Sequence, residues 1–187
     1  MFQIVGDVVT FVDASNFMDI PNYITLLDTN TTDTLELAKK CTAAQLNFKD
    51  GNRWSVMEVL EHIYIVDKMC FSIVSRPAAE KEAATNELYG SDKMKHIMIA
   101  NRKRRVEAPE DTVPSGSIAD VPAFEHLFLQ QRDLLKQHLL SNKIIVDNKV
   151  HKHLMLGEMT IADWLYFMVH HTDRHLDQIK ENMAQVS

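Results

Sequence analysis

Two histidines near the end of the chain, His171 and His175, occupy positions where a helix would present apolar side chains to a core. The apolar stripe that leads to them has spacings of three and four residues and consists of Ile161, Trp164, Leu165 and Met168. Residues four apart lie on the same helix face, with Cβ atoms roughly 5–6 Å apart. This spacing therefore allows two imidazoles to converge on one metal ion, as in other helical His-x-x-x-His sites.

A third histidine, His62, lies in another apolar stripe earlier in the chain. That stripe consists of Val59, Val66, Met69 and Ile73. Metal sites in helix bundles take their ligands from facing helices, so His62 can supply a third imidazole. A single histidine in such a stripe is more often a hydrogen-bonded core residue, and nine histidines in 187 residues make one His-x-x-x-His pair unremarkable. The three histidines together favour a metal site, whereas His151 and His153 could at most approach its mouth.

Three neutral imidazoles leave at least one coordination position for water or a substrate atom, which is typical of a reactive site. A metal held in this way lowers the pKa of bound water or binds a thiolate. The all-histidine ligand set favours zinc, nickel, cobalt or iron over magnesium or calcium. No residue is assigned a catalytic role.

Glu58 lies one turn before His62 and could act as a base or support His62 from outside the ligand shell. The same residue stands three positions after Ser55, which is the spacing of a helix capping box. The capping interpretation is the favoured one.

Glycine and proline divide the chain into stretches that must form the elements that position these histidines. We expect helices at about 22–46, 55–75, 122–140 and 160–184, although Asn30 or Thr31 could begin a shorter first helix. The connection 77–120 is long and contains a modest helical patch near 94–100. The predicted fold class is all-α, a four-helix bundle with a long crossover between helices 2 and 3. Residues 21–187 form the bundle domain, and residues 1–20 form an N-terminal arm that is extended at 4–5 and 8–12.

Composition excludes several classes of function. A formal net charge of −6 argues against nucleic-acid binding, and the basic run 102–105 is interpreted as a solvated loop or helix end. No segment approaches the roughly 20 apolar residues of a membrane span, and the N-terminus does not resemble a signal peptide. Cys41 and Cys70 are expected to be buried thiols in a reducing compartment rather than a disulfide. A cytoplasmic protein without nucleic-acid or membrane partners is predicted.

Three segments carry a resemblance to a known family. Trp54–Ile63 resembles the second-helix motif of the DinB/YfiT-like superfamily, and Leu156–Leu165 resembles the lead-in to its last helix. His171–Ile179 is similar to the terminal metal motif of that superfamily. The resemblance covers the order and rough spacing of elements from about residue 22 to 184 and leaves 1–19 unexplained.

The resemblance implies an up-down-down-up style four-helix bundle that is commonly dimeric. It also implies nickel or zinc held by one histidine of helix 2 and two of helix 4, which are His62, His171 and His175 in this chain. Some members resemble thiol S-transferases that use bacillithiol or mycothiol, and others resemble metal-dependent hydrolases. We favour S-transfer to a small thiol such as bacillithiol, with hydrolysis by metal-bound water as the alternative. A third possibility is a non-catalytic, metal-stabilised dimeric bundle, which the N-terminal arm and the lack of a convincing general base favour.

Overall fold

The computed structural model describes residues 18–76, 89–100, 107–147 and 150–186. Within these ranges the protein is mostly helical, as predicted, and also contains a small antiparallel sheet that was not predicted. The elements in chain order are α1 (Ile20–Lys40), α2 (Ala43–Asn47), α3 (Val56–Val74), α4 (Gly90–Ala100), a 3-10 helix (Glu110–Thr112), α5 (Val121–Leu140), β1 (Val150–His153), β2 (Gly157–Thr160) and α6 (Ile161–Met183). Residues 1–17 of the expected arm and the basic run 102–105 lie outside the described residues.

The two helices that carry the histidines begin at capping boxes. At the start of α3, the backbone N–H of Glu58 donates to Ser55 Oγ and the Ser55 N–H donates to the Glu58 carboxylate. At the start of α6, Thr160 and Asp163 make the same reciprocal pair. Both caps satisfy backbone N–H groups that have no partner within the helix.

The first helix differs from its prediction at both ends. It begins at Ile20 after an Asp19 cap and continues through 29–34, so the alternative start at Asn30 or Thr31 is wrong. It ends at Lys40, and α2 then begins separately behind a Thr42 cap. Threonine and asparagine are weak helix formers, so other contacts must stabilise this stretch.

A buried ion pair supplies those contacts and joins four helices. Arg132 on α5 donates from Nε to Asp67 on α3 at 2.9 Å, and both side chains are almost fully buried. Its Nη1 donates to Asn30 Oδ1 at 2.7 Å and Thr31 Oγ1 at 3.0 Å on α1, while Nη2 donates to Thr172 Oγ1 at 3.2 Å on α6. Asn30 and Thr31 therefore lie inside the helix because their side chains satisfy a buried cation.

The long helices pack side by side. Helix α3 contacts α5 and α6, and α1 contacts the same two helices. Helix α4, which lies in the predicted 77–120 connection, packs against α6. The β1–β2 hairpin pairs Val150 with Thr160 and leads directly into α6. This packing brings the His62 face of α3 against the His171 and His175 face of α6.

Two further sequence expectations can be compared with the described residues. Cys41 and Cys70 are free thiols, as expected; Cys70 is buried, whereas Cys41 is only partly buried, so the expectation of two buried thiols is wrong for Cys41. None of the helices in these ranges is long and apolar enough to cross a membrane.

Candidate metal centre

The packing of α3 against α6 brings His62, His171 and His175 into one cluster. One ring nitrogen from each lies within 4.8 Å of the others. The Nε2 atoms of His171 and His175 are 3.2 Å apart, and the ring of His62 is centred 5.1 Å and 4.8 Å from theirs. His62 and His175 are buried, with 4% and 8% of their surface exposed, and His171 is partly buried. The structure thus brings together the three residues that the sequence selected.

Hydrogen bonds at the far ring nitrogens orient two of these imidazoles. His62 donates from Nδ1 to the backbone carbonyl of Thr112 at 2.7 Å. His175 donates from Nδ1 to Gln178 Oε1 at 2.8 Å. Because each acceptor is an oxygen, the ring proton must sit on Nδ1, and the Nε2 lone pair is left free for a metal.

The position of His171 is compatible with a metal ion between its ring and that of His175. Its Nδ1 is buried and has no hydrogen-bond partner. Its Nε2 faces Nε2 of His175, whose lone pair is unprotonated, so two lone pairs would repel unless a proton or a cation lies between them. Two nitrogens on one tetrahedral zinc ion, with bonds of ~2.0–2.1 Å, would be about 3.3 Å apart. The observed separation of 3.2 Å matches this requirement.

All three imidazoles are held in the neutral form. Burial lowers the pKa of His62, against the opposing effect of its hydrogen bond to Thr112. Burial, followed by the neighbouring His175, holds the pKa of His171 well below its ordinary value. Burial and the nearby His62 lower the pKa of His175 to about 3. Since only neutral imidazole coordinates a metal, the cluster is ready to bind one at neutral pH.

Aromatic side chains border the cluster. The ring of Trp54 is centred 4.7 Å from that of His62, and the ring of Phe167 is centred 5.3 Å from that of His171. His153 on β1 packs at 5.0 Å against Phe167. His153 is therefore a neighbour of the cluster, but its Nδ1 accepts the N–H groups of the hairpin turn at Met155 and Leu156.

Glu58, the residue considered for support of His62, makes its contacts elsewhere. One carboxylate oxygen accepts the Ser55 N–H at 2.8 Å, and the other accepts Lys49 Nζ at 2.8 Å. These contacts occupy both oxygens and favour the capping interpretation. None of these contacts reaches the cluster, and a role of Glu58 in supporting His62 stays a prediction.

Two other polar side chains of α6, Asp163 and His170, serve the fold. Asp163 caps the helix and accepts the N–H of Gly90 at 3.1 Å. His170 is buried on a different face, where it contacts Ser91 at 3.0 Å and Asp173 at 3.1 Å. These contacts are those of a hydrogen-bonded core histidine.

The sequence did not indicate the groups that orient the ligands. Gln178 stands three residues after His175, and this His-x-x-Gln spacing could have revealed it. Thr112 acts through its backbone carbonyl and is 50 residues from His62, so no local pattern could have paired them.

The fold and the cluster define the class: this is a mostly helical protein with a candidate metal site formed by three histidines. Residues 26–179 match the model of the DinB superfamily, and the chain belongs to that superfamily. The chain is similar to the uncharacterized protein YuaE of Bacillus subtilis (strain 168), at 27% identity over 139 residues, which cover 73% of this chain and 82% of that protein. The DinB-like family is metal-binding, which agrees with the cluster.

Proposed function

We propose that His62, His171 and His175 hold a divalent metal, zinc or nickel, and that the loaded protein catalyses S-transfer, in which a small thiol such as bacillithiol becomes joined through its sulfur to an electrophile. The observation that carries the proposal is a neutral three-imidazole cluster with two lone pairs fixed towards its centre. Within the described residues, no fourth histidine, cysteine or carboxylate joins this group. An ion held there keeps a coordination position for an outside ligand.

The bound ion would supply one effect, which is to lower the pKa of a thiol in the open position. The thiol proton leaves to solvent. The sulfur lone pair then forms a bond to the electrophilic carbon while the leaving group departs with its bonding electrons. The chain's own contribution is to hold the imidazoles neutral and oriented, with aromatic rings beside them that exclude water.

The charges around the cluster favour a thiol over hydrolysis. Besides burial, the groups that lower the pKa of His171 are His175, His62, Arg174 and His153, none of which is a carboxylate. Of these groups Arg174 carries a positive charge, which favours an anionic ligand such as a thiolate on the metal. The two carboxylates nearest to His62 in sequence, Glu58 and Glu61, are occupied by other hydrogen bonds. Hydrolysis would also need a group that protonates the departing alcohol or amine, whereas a halide displaced by a thiolate leaves without a proton.

The first experiment measures the metal content of the untagged protein. We expect one ion per chain, its loss in His175→Ala, and its retention in the control His126→Ala, since His126 is exposed on α5. Full metal stoichiometry in His175→Ala would refute the site.

The second experiment mixes the loaded protein with candidate thiols and an activated aryl chloride. We expect release of chloride and formation of the thioether, both lost after chelation, while thermal stability changes little. Hydrolysis of an ester without thiol would favour the metal-bound water alternative. Unfolding on chelation, without turnover of thiol or ester, would favour a non-catalytic metal-stabilised bundle.

We also propose that the four long helices form the four-helix bundle of the family and that the protein acts as a homodimer in the cytoplasm. The mutual contacts of α1, α3, α5 and α6 support the bundle, and the free thiols of Cys41 and Cys70 agree with a reducing compartment. Light scattering on the purified protein should give twice the mass of one chain, and a monomeric mass would contradict the dimer.

A further inference from the structure

The buried carboxylate of Glu61, beside His62 on α3, holds a loop that precedes α5. Glu61 is only 1% exposed. Its Oε1 accepts the N–H of Ser115 at 3.1 Å, the Ser115 hydroxyl at 3.2 Å, the N–H of Ser117 at 3.0 Å and the Ser117 hydroxyl at 2.7 Å. Its Oε2 accepts the N–H of Gly116 at 2.9 Å. One carboxylate thus binds three successive residues of the loop.

The backbone of the loop is shaped for this contact. Gly116 has φ of +79°, a conformation that L side chains rarely adopt, and it turns consecutive N–H groups towards one acceptor. Ile118 anchors the far end of the loop in the core. At the near end, the N–H and hydroxyl of Thr112 both donate to the Pro109 carbonyl, at 2.8 Å and 2.9 Å.

The same loop touches His62. Adjacent helix residues project about 100° apart, so His62 and Glu61 face different parts of a segment that crosses α3. Thr112 is 2% exposed and directs its carbonyl at His62 Nδ1, while 115–117 surround Glu61 three residues further on. The hydrogen bond that sets the ring proton of His62 therefore depends on a loop whose position Glu61 secures.

We propose that Glu61 is a positioning residue of the metal centre: its hold on 115–117 keeps the Thr112 carbonyl against His62 Nδ1 and leaves His62 Nε2 as the ligand atom. This rests on the metal site of the proposed function and not on its thiol chemistry. Partners of metal-bound histidines that fix ring orientation are typically worth 10–100-fold in metal affinity. Here the Glu61 carboxylate would act indirectly, by positioning the Thr112 backbone carbonyl that bonds to His62.

A purely structural role for Glu61 makes a different prediction. Any buried carboxylate needs hydrogen bonds, and losing them lowers stability wherever the residue lies. Such a loss would leave the tautomer of His62 unchanged. It would also weaken metal binding equally whether or not His62 is present.

The first test observes the metal-free protein, so that neither metal nor activity enters. Ring nitrogen shifts in ¹⁵N NMR report which nitrogen of His62 carries the proton. We expect Nδ1–H in the wild type, a mixture of tautomers in Glu61→Gln, and the wild-type state in Glu58→Gln. Glu58 is the matched control because it lies one turn earlier on α3 and also accepts a backbone N–H, but from the helix cap.

The second test measures zinc affinity by competition with a chelator. We expect about a 10-fold loss in Glu61→Gln, none in Glu58→Gln, and no further loss when Glu61→Gln is added to His62→Ala. An unchanged tautomer and affinity in Glu61→Gln would overturn the proposal, and so would an equal loss in the His62→Ala background.

Gly116→Ala disturbs the loop from the other side and decides the matter if Glu61→Gln does not fold. No atom lies within 4 Å of the added methyl, so the effect comes from the backbone conformation alone. We expect the same change in the tautomer of His62, and an unchanged tautomer would overturn the proposal. If the tautomer and zinc affinity respond as expected while no thiol is transferred, the positioning role stands and the proposed activity fails.

Discussion

The buried Asp67 carboxylate should lower the free energy of unfolding as the pH rises, whereas a carboxylate with a lowered pKa has the opposite effect. Burial raises its pKa from 3.8 to about 6, even though Arg132 opposes the shift. Between these values the folded protein holds a proton that the unfolded chain has lost. The free energy of unfolding therefore contains a contribution that is present at low pH and disappears as the pH rises through about 6.

The size of this contribution follows from the shift. A change of about two pH units, at 1.36 kcal/mol per unit, corresponds to about 3 kcal/mol. Asp67→Asn removes the titration while keeping the shape of the side chain. We expect the unfolding free energy of the wild type, minus that of Asp67→Asn, to fall by about 2 kcal/mol between pH 4 and pH 7, because at pH 4 part of the contribution is already lost.

Urea unfolding at several pH values measures this difference. Asp33→Asn is the matched control because Asp33 is exposed on α1, and its difference from the wild type should be nearly constant. A flat difference for Asp67→Asn would refute the reasoning, because it would mean that Arg132 fully compensates the buried charge.

Three further predictions concern the site and the core. In the metal-free protein, the pKa of His175 is lowered to about 3, so stability is lost as the pH falls below about 6.5, where the unfolded histidine takes up a proton. His175→Gln should therefore gain less stability than the wild type between pH 5 and pH 7 in urea titrations, and an equal gain would contradict the lowered pKa. Gln178→Leu should weaken zinc binding by about 10-fold in chelator competition, while the circular dichroism spectrum stays unchanged. An affinity equal to that of the wild type would show that the Gln178 contact does not orient His175. Leu165→Ala, at a fully buried position, should lower the free energy of unfolding by about 2–5 kcal/mol. The control Leu154→Ala, at a position 83% exposed, should change it by less than about 0.5 kcal/mol, and similar losses in the two variants would contradict the core assignment.

Much of this protein could be predicted because the determining interactions are short in sequence. The capping boxes of α3 and α6 each depend on residues three apart. The convergence of His171 and His175 depends on a four-residue spacing that any helix imposes. Their partnership with His62 followed from a second apolar stripe together with the family motifs, and the packing of α3 on α6 agrees with it.

The first helix shows where local reasoning fails. Its threonines and asparagine argue for a late start, because their intrinsic helix propensity is poor. The helix nevertheless passes through them, since Asn30 and Thr31 bond to Arg132, which lies about a hundred residues further along the chain. A buried cation needs several acceptors, and only the assembled core shows which residues provide them.

The sequence by itself determined which three imidazoles could meet, because helical periodicity places side chains on faces at fixed intervals. Only the tertiary structure decided how those imidazoles are oriented. His62 takes its ring geometry from the carbonyl of Thr112, and Glu61 holds the loop that carries this carbonyl, across 50 to 56 residues of chain. Backbone carbonyls and N–H groups occur at nearly every residue, so their partners depend on how the chain packs and not on which residue carries them.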